Sequence, residues 1–299
     1  MSRPDTFVPP PGARAHALRT ARGEFAVVDG AVAEGVAARG VVLLLPGYTG
    51  SKEDFNPLHA PLAARGYRTV AVDGRGQFES AGPTDDETPY AQDELARDVL
   101  AQAAAVGAPV HLLGHSLGGL VARAALLMDA TPFATLTLMS SGPAEISAPQ
   151  RERVKLLRDA LAVLTPAEVW AAMRAMERGG DSGAVGLDGG LADRADLRRR
   201  WIATSPAQLV VTGRQLCTEP DRVAELAARG LPYHVLSGAR DDVWPVELLD
   251  AMAERLGARR TVIAGAEHSP NTDRPAETAR ALADFWDAHP AHPARPQES

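Results

Sequence analysis

The sequence predicts an α/β protein built on a doubly wound, mostly parallel, eight-stranded sheet with a helical cap inserted between strands 6 and 7. Three observations carry this. Short β-prone runs alternate with helical patterns along most of the chain, the order expected when crossover helices cover a parallel sheet. Several runs, such as VVLLL at 41–45, are continuously apolar rather than alternating, as strands buried on both faces are. The alternation fails from about 144 to 217, where helix signals follow one another with no convincing central strand.

The elements read as follows. HALRT (16–20) and EFAVVDG (24–30) have no helix between them and form a hairpin. Six more strands follow at VVLLLPG (41–47), RTVAVDG (68–74), VHLLGHS (110–116), TLTLMSS (135–141), YHVLSG (233–238) and RTVIAG (260–265). Helical patterns at DELARDVLAQAAA (93–105), LGGLVARAALLM (117–128) and ALADFWDAH (281–289) lie between or after them. In the insertion, Thr165 stands before Pro166 and three residues before Glu168, a capping-box start for a helix. The glycine-rich GGDSGAVGLDGG (179–190) then breaks the helices. The expected organisation is a core of 15–143 and 218–288, a helical cap at 144–217, and flexible Pro-rich tails at 1–14 and 289–299. His289 and His292, in the last tail, read as solvated side chains rather than metal ligands.

Composition narrows the function. A chain of 299 residues, 45% of them hydrophobic, can bury a large core. Its net charge of −7 argues against nucleic acid and anionic membrane surfaces as partners. Cys217 is the sole cysteine, so no intrachain disulfide and no Cys-rich metal site can form. The N-terminal residues have no signal-peptide core, and no apolar run is long enough to span a bilayer. The expectation from composition is a soluble, cytoplasmic protein.

Gly114-His115-Ser116-Leu117-Gly118 fits G-x-S-x-G and sits where that pattern has mechanical meaning, between a strand and a helix. The residues two before and two after the serine must be small, because the turn is tight. The turn lifts the Ser116 hydroxyl clear of the sheet and leaves the first N–H groups of the next helix free to meet an anion. A serine needs a base. Of eight histidines, His268 alone follows the last strand in a loop at its carboxyl end, before the final helix, where open α/β sheets gather their chemistry. His115, inside the turn, points elsewhere and is expected to support the site from outside. The base needs a carboxylate. Asp241 is assigned to this role as the first acidic residue past the seventh strand, with Asp242 the alternative and a turn or helix cap the plain use of either. Two oxyanion donors are expected from Leu117 N–H and from Tyr48 N–H, the latter in the PGYTG turn where Gly47 allows close approach.

With these residues in place, the chain resembles the α/β-hydrolase fold enzymes that carry a helical cap. The resemblance rests on LLLPGYTGS, VDGRGQFES, GHSLGG, and the pair SGARDDVWP and GAEHSP. The order Ser116, Asp241, His268 is the family's order, and an acid three residues after a glycine matches Gly238 and Asp241. Pro46-Gly47 replaces a frequent His-Gly, which removes a side chain but no backbone donor. Phe78 stands where a glycine is frequent, implying a bulkier loop. The insertion matches no pattern of the family.

The resemblance implies a serine hydrolase acting on a small-molecule ester, thioester or lactone, by a chemistry that needs no metal or organic cofactor. Carbon–carbon bond hydrolases and cofactor-free haloperoxidases keep the same serine and stay open. A non-catalytic binding protein on this scaffold is the other class, although such proteins usually have a broken triad. Arg198, Arg199 and Arg200 read as a solvated helix end complementing its dipole, with an anionic substrate tail as the other use. Trp170, Met173, Met176 and Trp201 are expected to supply pocket walls or to pack the cap on the core. The glycine-rich break is expected to let a lid open and close.

Overall fold

The computed structural model describes residues 3, 4, 6–179 and 191–291. Eight strands form one sheet: β1 (Ala13–Thr20), β2 (Gly23–Gly30), β3 (Gly40–Leu45), β4 (Tyr67–Val72), β5 (Val110–His115), β6 (Phe133–Met139), β7 (Tyr233–Gly238) and β8 (Arg259–Ile263). Their spatial order is β1-β2-β4-β3-β5-β6-β7-β8. The hairpin β1–β2 joins antiparallel to β4, and β3 to β8 run parallel. All eight strands read from the sequence are present. β1 begins at Ala13, inside the segment assigned to a tail, and Asn56 Nδ2 donates to the carbonyls of Thr6 and Val8 just before it.

The helices are α1 (Asn56–Ala63), α2 (Gln92–Val106), α3 (Leu117–Met128), α4 (Ala148–Leu161), α5 (Pro166–Gly179), α6 (Leu191–Ala203), α7 (Pro206–Thr218), α8 (Val223–Ala227), α9 (Val246–Leu256), α10 (Pro270–Asp273) and α11 (Pro275–Asp287). Because strand side chains alternate, each buried strand feeds two cores. Leu43, Leu45, Val110 and Leu112 join α2, α3 and α9 on one face. Val42, Leu44 and Leu113 join α1 and α11 on the other. There the His111 ring stacks on Trp286, with 5.5 Å between centroids.

The helices α4 to α8 lie between β6 and β7, and α4 to α7 carry the stretch read as an insertion. The capping box of α5 is formed: Glu168 N–H donates to Thr165 Oγ1, and Thr165 N–H donates to Glu168 Oε2. Val169, Trp201 and Leu209 make a small apolar cluster with Leu157, Trp170 and Met173. The large residues of the insertion therefore pack mainly on one another. The break at 179–190 lies, apart from Gly179, outside the described residues.

Two arginines are not where their surroundings in the sequence place them. Arg200 is not a solvated helix end: it is 1% exposed and paired with Asp54 at 2.9 Å. Arg123, in the apolar α3, is also 1% exposed, and it pairs with Glu219 at 2.7 Å just after α7. Arg123 also donates to the carbonyl of Pro143, so it grips both roots of the insertion. Removing one partner of such a pair leaves the other charge buried and uncompensated. Arg123→Met is expected to lower stability by about 3–5 kcal/mol, read from urea unfolding.

Candidate active site

In the order β4-β3-β5 the chain leaves β3 toward one edge of the sheet and returns to the other side of β3 as β5. The loops leaving β3 and β5 thus diverge at the carboxyl ends of neighbouring strands, where doubly wound sheets form their crevice. Ser116 lies between β5 and α3 with φ +53° and ψ −118°, a conformation L-residues rarely adopt. The turn closes because Gly118 lacks a side chain. A Cβ there would lie 2.4 Å from the carbonyl oxygen of Leu45 and 2.7 Å from that of Pro46.

The loop after β8 brings His268 to the same place. Ser116, His268, Gly47 and Tyr48 line one cavity of about 140 Å³, with Ile146, Val154 and Leu216 as apolar walls. His268 Nδ1 lies 2.9 Å from both carboxylate oxygens of Asp241. A carboxylate only accepts, so Nδ1 carries a proton, and in the neutral ring the lone pair is on Nε2. The Asp241 side chain is fully buried, and its Oδ1 accepts the N–H groups of Val243 and Trp244. Asp242 faces outward instead, its side chain 68% exposed, and accepts from Gln150 Nε2 at 2.5 Å. The structure thus brings Asp241, and not Asp242, to His268.

His115 supports the site from outside. Its Nε2 donates to the carbonyl of His268 at 2.9 Å. Burial, reinforced by the neighbouring His268, pushes its pKa down to about 3, so the ring is neutral at physiological pH.

The donors follow from the backbone. Leu117 opens α3, so its N–H has no intrahelical acceptor. Gln77 Nε2 donates to the carbonyl of Gly47 at 3.0 Å, while Gln77 Oε1 accepts from Gly74 N–H. In a trans peptide the carbonyl of Gly47 and the N–H of Tyr48 point in opposite directions. Holding that carbonyl therefore aims the Tyr48 N–H the other way. The Tyr48 phenol, whose pKa is raised by burial, donates to the carbonyl of Leu209 in α7. Gln77 escaped the sequence reading. Its signal was its place in the loop after β4, which pointed to a bulky neighbour rather than to this amide.

Phe78 takes φ +38°, the left-handed conformation that explains a frequent glycine at this position. Its ring lies 4.6 Å from Lys52 Nζ and 5.2 Å from the Arg199 guanidinium. Lys52, itself buried, contacts carboxylates of Glu53, Asp73 and Glu79 at 2.7–2.8 Å. Trp170, Met173 and Trp201 do not line the cavity, and Met176 is 68% exposed. The insertion instead reaches the cavity through Ile146, Gln150, Val154 and Leu216. Among the described residues, no cluster of His, Cys, Asp and Glu has a metal-binding arrangement, and no helix is long and apolar enough to cross a membrane.

Residues 42–281 match the model of the alpha/beta hydrolase family. A pimeloyl-[acyl-carrier protein] methyl ester esterase from Edwardsiella ictaluri is 29% identical over 253 residues, covering 82% of this chain and 93% of that protein. An esterase from Exiguobacterium antarcticum superposes with a TM-score of 0.72 at 19% identity, covering 92% of this chain and 100% of that one. The enol-lactonase of Burkholderia xenovorans gives 0.71 at 19% identity, covering 91% and 100%. The chain belongs to the alpha/beta hydrolase family.

The close approach at Gly118 is directly testable. Gly118→Ala must displace the backbone of Leu45 and Pro46. It is expected to cost about 1–3 kcal/mol, measured by thermal unfolding followed by circular dichroism.

Proposed function

We propose that this hydrolase cleaves a carboxylic ester through an acyl-enzyme on Ser116. The observation that carries the reading is the shared cavity of Ser116 and His268, with the His268 ring held by buried Asp241. His268 Nε2 takes the Ser116 proton as Oγ attacks the ester carbonyl. The tetrahedral oxyanion is held by Leu117 N–H and Tyr48 N–H. His268 then protonates the departing alcohol, and Asp241 stabilises the imidazolium in the meantime. Water, with His268 as base again, releases the acid and restores Ser116. Each step uses only this chain's side chains and backbone with water.

Substrate selection falls to the insertion. On this reading 144–217 is a cap, and 15–143 with 218–288 is the catalytic core. Ile146, Val154 and Leu216 are its contribution to the acyl or alcohol pocket. The small, apolar cavity supports a short-chain ester. The Edwardsiella relative, named for a methyl ester on an acyl carrier, supports a small alcohol as leaving group. The reading is of a cytoplasmic enzyme, which the single thiol of Cys217 supports.

A fluorophosphonate probe is expected to label Ser116, and Ser116→Ala to abolish both labelling and p-nitrophenyl acetate hydrolysis. Labelling at another serine would remove the basis of this proposal. Asp241→Asn is expected to reduce kcat by a factor on the order of 10⁴ with folding retained, whereas Asp242→Asn leaves it nearly unchanged. Steady-state kinetics on the two variants separates these roles. Among p-nitrophenyl esters, acetate and butyrate are expected to turn over faster than palmitate, and the reverse order would show the cavity to be a poor guide to the acyl pocket.

A further inference from the structure

Arg200 lies near the carboxyl end of α6 in the insertion, yet its guanidinium is buried against the loop that follows β3. Its Nη1 donates to Asp54 Oδ1 at 2.9 Å and to Ser51 Oγ at 3.2 Å. Phe7 covers it, with its ring centroid 5.6 Å from the guanidinium carbon. Asp54 in turn grips the turn behind Tyr48. Its Oδ2 accepts Ser51 N–H, and a Cβ on Gly50 would lie 2.4 Å from that oxygen. The carbonyl of Asp54 also accepts from Asn271 Nδ2 at 2.7 Å, three residues beyond His268. One residue, Asp54, thus touches the loop of the oxyanion donor, the short helix α10 that follows the base, and the cap.

A second path runs from the same end of α6. Thr204 Oγ1 accepts the Phe78 N–H at 3.2 Å, and Ser205 N–H donates to the carbonyl of Gly76 at 2.8 Å. Gln77, between these two, holds the carbonyl of Gly47. Arg199 adds an ion pair to Glu79 at 3.7 Å. Stability alone does not account for a buried guanidinium here. Well-packed apolar side chains replace a buried ion pair at little or no cost, and the insertion already has an apolar cluster of its own.

We propose that Arg200 is a positioning residue that holds the oxyanion loop from the cap, so that hydrolysis requires the end of α6 to be docked. This rests on the reading of Ser116 as nucleophile and of Tyr48 N–H as oxyanion donor. The expected signature is a loss of rate rather than of affinity, because the loop holds the charge that develops after the substrate is bound. Arg200→Met alone strands the Asp54 carboxylate, so the decisive protein is the double variant Arg200→Met/Asp54→Asn, which removes both charges.

The test is steady-state hydrolysis of p-nitrophenyl acetate well below the unfolding temperature, alongside amide hydrogen exchange in the native and variant proteins. The double variant is expected to fold and to lose roughly 10- to 100-fold in kcat with KM changed less than about twofold. Amides of 47–55 are expected to exchange faster while those of β5 keep native rates. Arg200→Lys, which keeps the charge and loses the fork, is expected to retain more kcat than the double variant. Native kcat in the double variant, or native exchange at 47–55, overturns the proposal. A native protein that hydrolyses no ester in the panel instead removes the reading of the site, and the exchange data then decide by themselves whether Arg200 holds the loop.

Discussion

The contact between the α3 end of the serine turn and the end of β3 is the constraint on which the rest of the site depends. Gly118 meets the carbonyl groups of Leu45 and Pro46 at a distance no side chain permits. That contact sets how deeply α3 sits on the sheet. It therefore sets where Ser116 stands relative to Gly47, where a Cβ would come within 3.3 Å of the Ser116 Cβ. The strained φ of Ser116 persists because the surroundings over-determine it. Its N–H is committed to the carbonyl of Met139 in β6, and α3 behind it is buried along nearly its whole length.

Around this fixed point the loops are held by polar groups rather than by apolar packing. Gln77 fixes the Gly47–Tyr48 peptide, Asp241 fixes the His268 ring and His115 fixes the His268 backbone. Such bonds are directional, so they specify orientation as well as proximity, which apolar contacts do not. The cost is burial of charge. Lys52 among Glu53, Asp73 and Glu79 shows it: desolvation pushes the Asp73 carboxyl above the usual carboxylate range despite the ammonium beside it. Arg123 with Glu219 and Arg200 with Asp54 extend the pattern to the roots and to the far end of the insertion.

The insertion itself is divided between two tasks. Its large residues, Trp201, Trp170 and Met173, gather into an internal cluster with Val169 and Leu209. Medium-sized residues on the sides of α4 and α7 nearest the core, Val154 and Leu216, face the cavity. Tyr48 belongs to both regions, packing against the Val169, Trp201 and Leu209 cluster and bonding to Leu209 while its backbone lies in the loop beside Ser116. Gly213 gives it room, since a Cβ there would lie 2.6 Å from the phenol oxygen.

The order of strands and helices, the serine turn, and the residues His268 and Asp241 were legible in the chain because their signals are local. Buried parallel strands read as short apolar runs, and a strand-to-helix turn needs small residues two places either side of the serine. The choice between Asp241 and Asp242 was local only in part, and the bonds from Val243 and Trp244 settled which carboxylate turns inward. Gln77, Asp54, Lys52 and the burial of Arg200 were not legible at all. A polar residue in a loop or at a helix end looks the same in sequence whether it meets water or a partner almost 150 positions away, as Arg200 meets Asp54. Only folding, which brings the end of α6 onto the loop after β3, decides which of those charges are buried and what they hold.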